Sequence, residues 1–116
     1  MMWKRSMMLV LGIVAAQRVA AQAAPPNAMV LAQAQDRCMT TYAVRMTKTD
    51  ATDEEIYSGA TEGCKDLQGQ LHAAIAKEYS ADQAKELIAT LEAQAKPNFL
   101  QLLQKIRADR QIRAAN

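Results

Sequence analysis

The chain has two cysteines, Cys38 and Cys64, and the turn-like run Lys48-Thr49-Asp50-Ala51-Thr52-Asp53 lies midway between them. Each cysteine stands 13 residues from Ala51, and both flanks carry helical patterning. Antiparallel helices folding about Ala51 bring the two cysteines to one height, because the rise per residue is the same on both sides. A disulfide there staples the hairpin. Zinc is the rival use of the cysteines, but two cysteines and one histidine fall short of the four ligands of a structural site.

A disulfide needs an oxidising compartment, and the N-terminus supplies the means of reaching one. Met1 to Ser6 carries Lys4 and Arg5, Met7 to Ala16 is a ten-residue apolar run, and Ala21-Gln22-Ala23 offers small residues at the positions a signal peptidase reads. This is the layout of a secretory signal peptide. A membrane span needs about 20 apolar residues, and Gln17 and Arg18 end this run sooner. The expected organisation is a cleaved signal at 1–23, an extended segment at 24–27, one helical domain at 28–113 and a frayed end at 114–116. The expected location is the periplasm or the medium, with no transmembrane segment in the mature chain.

Cleavage changes the charge argument. The full chain has 14 Lys and Arg against 12 Asp and Glu, but Lys4, Arg5 and Arg18 leave with the leader, so 11 face 12 and the net charge becomes −1. Nucleic-acid binding then loses its electrostatic support. About 93 residues make one domain with a modest core, and a covalent staple suits so small a chain.

Pro25 and Pro26 disfavour helix before Asn27, which is a good N-cap. A first helix runs from Ala28 to about Lys48, with Leu31, Cys38, Tyr42 and Met46 at helical spacing. Thr52-Asp53-Glu54-Glu55 has the form of a capping box. The second helix it opens carries Ile56, Ala60, Gly63, Cys64, Leu67, Leu71, Ile75 and Tyr79 in steps of three or four. Pairing residues about the cysteines gives the layers Met46–Ile56, Tyr42–Ala60, Cys38–Cys64, Gln35–Leu67, Leu31–Leu71 and Ala28–Ala74. Packed helices lie 8–10 Å apart and disulfide-linked Cα atoms about 5.5–6 Å apart, so Gly59, Ala60 and Gly63 are read as making room for a close approach beside Cys64.

Ser80-Ala81-Asp82-Gln83 is a second capping box and breaks the chain at Tyr79–Ser80. Beyond it, Ala84, Leu87, Ile88, Leu91 and Ala95 continue in phase through Pro97 to Phe99, Leu102, Leu103 and Ile106. Phase kept across a proline predicts one long helix, kinked near Pro97, with two helices as the alternative. The expected fold is all-α: a disulfide-stapled antiparallel hairpin plus a third long helix, a three-helix bundle with a four-helix bundle as the alternative. The third helix is longer than the second, so Phe99, Leu102, Leu103 and Ile106 are expected to overhang as an apolar interaction surface for a protein partner or a second copy.

Chemistry-bearing residues do not converge. His72 stands alone, with no serine or free cysteine placed for it to activate. Asp53, Glu54, Glu55, Glu62 and Asp66 lack the ligand spacing of a calcium loop and suit helix capping and a solvated face. Met29, Met39 and Met46 are read as core filler rather than a copper site. Arg107, Arg110 and Arg113 suit the negative end of a helix dipole. No haem, Cys-x-x-Cys or phosphate-loop motif occurs. No catalytic residue, metal or cofactor is assigned, and a non-enzymatic binding or interaction module is the expected class, with metal binding a lesser alternative.

In an exported helical chain, the run Tyr79-Ser80-Ala81-Asp82-Gln83 resembles the Leu-Thr-x-x-Gln motif of periplasmic stress chaperones. Tyr79 and Ser80 stand in place of Leu-Thr, and the second copy is absent. This five-residue resemblance implies a helical fold and a holdase activity toward unfolded clients.

Overall fold

The computed structural model describes residues 26–116. The expected leader and its cleavage point lie outside the described residues. Four helices follow one another: α1 (Ala28–Met46), α2 (Asp53–Gly63), α3 (Lys65–Glu78) and α4 (Ala81–Ala115). The architecture is all-α, a hairpin of α1 against α2 and α3 with α4 laid along it. No helix among the described residues is long and apolar enough to cross a membrane.

Local chemistry starts the helices. Asn27 accepts a hydrogen bond from the Val30 N–H at 2.9 Å, and Thr52 accepts one from the Glu55 N–H at 3.2 Å. Ser80 accepts from the Gln83 N–H at 3.3 Å while the Gln83 side chain accepts from the Ser80 N–H at 3.4 Å, a complete capping box. Each satisfies an N–H that the first helical turn leaves unpaired.

The disulfide joins Cys38 and Cys64, with Cα atoms 6.1 Å apart. The second helix of the hairpin is not continuous. Cys64 leaves helical geometry at φ −110°, ψ 11° and divides α2 from α3. Helical bonds persist on both sides, from the Cys64 N–H to Ala60 O at 3.0 Å and from the Gln68 N–H to Cys64 O at 3.2 Å. Gly63, the weakest helix former after proline, precedes the tethered residue and makes this the easiest place to bend. Thr61 adds a hydroxyl bond back to Tyr57 O at 2.9 Å, an arrangement that often bends helices.

Two core clusters hold the bundle. Near the hairpin turn, Ala43, Ile56, Ala60, Phe99 and Leu103 are buried together, with Met39, Tyr42, Met46 and Ile106 against them. At the other end, Leu31, Leu71, Ile75 and Ala84 are buried, with Leu67, Leu87 and Ile88 against them. Four of the six sequence-derived layers fall into these clusters: Met46–Ile56 and Tyr42–Ala60 in the first, Leu31–Leu71 and Ala28–Ala74 in the second.

The apolar stripe on α4 is not an exposed surface. Phe99 is 5% exposed and Leu103 0%, while Leu102 and Ile106 are half-buried. The hairpin covers them because α4 docks through them onto α1 and α2. What projects beyond is the last turn and a half, where Ile112 is 61% exposed. Polar bonds hold this end in place: Arg107 pairs with Asp53, and Arg110 donates to Thr47 Oγ1 at 2.5 Å and to Val44 O at 2.6 Å.

Pro97 lies inside α4, which runs unbroken from Ala81 to Ala115. Residues 89–98 are all exposed, so Leu91 and Ala95, in phase with the stripe, are not core residues. The helix is anchored at both ends and spans the middle without close packing.

Candidate functional site

The unpacked span of α4 roofs a cleft. Its walls are α1, α3 and the middle of α4, and its volume is about 430 Å³. From α1 come Gln35, Asp36 and Met39; from α3, Gln68, Leu71 and His72; from α4, Leu91, Glu92, Ala95, Asn98 and Phe99. The cleft separates the two core clusters and borrows Leu71 from one and Phe99 from the other.

Helical periodicity explains the lining. Gln35 and Met39 are four apart on α1, and Gln68 and His72 are four apart on α3, so each pair shares a face. Leu91, Ala95, Asn98 and Phe99 repeat at four, three and one along the underside of α4. The result is an apolar floor with amide and imidazole groups at its edges, the composition usual in small-molecule sites.

One polar atom is unaccounted for. Gln35 Oε1 is buried and accepts no hydrogen bond. An unmet buried acceptor costs about 1–3 kcal/mol, and it sits on the wall of the cleft. A ligand donor reaches this acceptor only after the side-chain amide rotates toward the cleft.

A second concavity of about 420 Å³ lies over the disulfide, bordered by Arg37, Tyr42, Arg45 and Gly63. It is walled by the hairpin alone, without α4, and Arg45 closes part of it by stacking 5.3 Å from the Tyr42 ring centre. The cleft under α4, walled on three sides, encloses a ligand better.

The residues singled out from sequence scatter over the molecule. Cys38 and Cys64 form a structural link, with Cys64 3% exposed. Gly59 matters differently from expectation. The Tyr42 ring fills the space that a Gly59 Cβ needs, with Cζ 2.8 Å from that point. Around Gly63 nothing lies within 4 Å of an added Cβ, so it makes no room for helix packing. Cα atoms lie about 2.3 Å off a helix axis, so axes 8–10 Å apart leave facing Cα atoms roughly 3–5 Å apart. The observed 6.1 Å therefore needs no unusual approach. Ala60 is fully buried and belongs to the first core cluster.

Four of the five acidic residues are committed elsewhere. Asp53 pairs with Arg107, Glu54 with Lys96 at 3.0 Å, Glu55 with the Thr52 hydroxyl at 3.1 Å and Glu62 with Lys65 at 2.7 Å. The Glu62 carboxylate, by its hydrogen bond and its charge, holds the exposed Lys65 ammonium above its ordinary pKa. Among the described residues, no three His, Cys, Asp or Glu side chains gather as a metal site. Met39 and Met46 pack on the first core cluster, while Met29 is 72% exposed.

Sequence reasoning missed the cleft, although one signal for it was available. Gln35 occupies a core-facing layer opposite Leu67, and a glutamine at such a position marks a place where the core is not closed. No family model, curated protein or solved structure matches this chain.

Proposed function

We propose that this protein is an exported, non-enzymatic binding protein whose ligand enters the cleft beneath the middle of α4. The supporting observation is the way α4 docks. It is anchored by Ala84 at one end and by Phe99 and Leu103 at the other. Between them, residues 89–98 stand over an apolar floor without filling it. A concavity of about 430 Å³ between the core clusters has the size of a small-molecule cleft, which suits occupancy.

A binding role fits the residues better than catalysis. The cleft that His72 lines contains no serine or free cysteine, and the disulfide ties up both cysteines. Export fits the disulfide and the patterned N-terminus. The stripe formed by Phe99, Leu102, Leu103 and Ile106, expected to receive a protein partner, packs into the hairpin, so the ligand proposed is a small molecule.

The test is a ligand screen on the oxidised protein, read by amide NMR shifts. Binders are expected to move the signals of Gln35, Gln68, His72 and Ala95 together. A screen whose hits all map to other surfaces, or which yields none, sinks this reading. Export is tested separately by the intact mass of protein from the native envelope. Cleavage after Ala23 removes Trp3, and tryptophan fluorescence in that material contradicts cleavage there.

A further inference from the structure

Resting on the cleft reading above, we infer that the ligand is a small apolar amine, bound as its ammonium cation. The chain keeps eleven Lys and Arg side chains after the leader, and none of them lines the cleft. The charged groups that do line it are Asp36 on α1 and Glu92 on α4, with His72 the other titratable side chain. In a chain with 11 basic and 12 acidic groups, this one-sided lining is a local bias that the overall charge does not require. A positively charged ligand end therefore meets carboxylates from two walls, while an anionic end meets no cation.

One uncharged polar group, Gln35, points to the same ligand. Gln35 Oε1 is an acceptor without a donor, and once turned into the cleft it is satisfied by an N–H. An ammonium has three such donors and a positive charge, whereas a carboxylate ligand has neither. The apolar lining of Met39, Leu71, Leu91 and Phe99 takes the apolar body, which contributes in proportion to the area removed from water. Two exposed carboxylates, each contributing about 0.5–0.7 kcal/mol to an ion pair, correspond to a preference of about fivefold to tenfold for the cation over its neutral analogue.

The experiment is calorimetric titration of the oxidised full-length protein with three probes of one chain length: n-octylamine, 1-octanol and octanoate. Octylamine is expected to bind about fivefold to tenfold tighter than octanol, and octanoate more weakly than either. The double variant Asp36→Asn, Glu92→Gln is expected to lose that preference while still binding octanol. Both positions are exposed, and circular dichroism checks that the variant folds. Equal binding of amine and alcohol, or tighter binding of octanoate, overturns the amine assignment and leaves the cleft reading standing. A preference that survives in the double variant overturns the siting of the charge. Failure of all three probes removes both the amine assignment and the cleft as an apolar site.

Discussion

The ring of Tyr42 lies on Gly59, close enough that a Cβ at residue 59 would stand 2.8 Å from Tyr42 Cζ. The contact ties the fourth turn of α1 to the middle of α2, in the core cluster that also receives α4. Gly63, one turn on, has open space at the corresponding point. Two glycines on one helix thus do opposite things.

Gly59→Ala should destabilise the fold by about 1–3 kcal/mol, because a rigid ring must move to admit the methyl group. Gly63→Ala should be neutral or stabilising by up to about 1 kcal/mol, since it gains helix propensity and meets nothing. Urea unfolding of both variants measures this. A Gly59→Ala protein as stable as the parent would show that Tyr42 shifts freely.

Cys38→Ser should lower stability by about 3–4 kcal/mol, the chain-entropy value for a closed loop of this length, with the cysteines 26 positions apart. Denaturation with and without reductant checks the attribution: reduced parent and variant should unfold at the same urea concentration. A gap of more than about 1 kcal/mol between them would mean that the serine itself disturbs the kink at Cys64.

Pro97→Ala should raise the melting temperature. The proline lies within α4 and is exposed, so its substitution restores a backbone hydrogen bond without disturbing the core. An interior proline costs about 3 kcal/mol relative to alanine, and the lightly packed span should recover part of that. Differential scanning calorimetry reads it. A lower melting temperature would mean that the proline shapes the docking of Phe99 and Leu103.

Arg110→Ala should free the C-terminal end of α4 from the hairpin turn, since it removes donors to Val44 O and Thr47 Oγ1. The global loss should be modest, about 1–2 kcal/mol for bonds from a charged donor, with faster hydrogen exchange beyond Leu103 and near Thr47. Uniform acceleration across all helices would instead indicate that this contact supports the whole bundle.

What the sequence determined by itself is local or symmetric. Caps at Asn27, Thr52 and Ser80 depend on side chains reaching N–H groups three residues on, and they set where α1, α2 and α4 begin. Periodicity carried α4 through Pro97, and spacing about Ala51 paired Cys38 with Cys64. Tertiary structure decided the rest, because it depends on contacts between residues far apart in the chain. Arg107 meets Asp53 across 54 positions, and with Phe99 and Leu103 it seats one end of α4 on the hairpin while Ala84 seats the other. That two-point docking buries the stripe the sequence left open, strands Leu91 and Ala95 over a cleft, and turns Gln35 from one residue in a layer into part of a candidate site. Helical period alone records which face of α4 is apolar; only the position of both ends says which part of that face is covered.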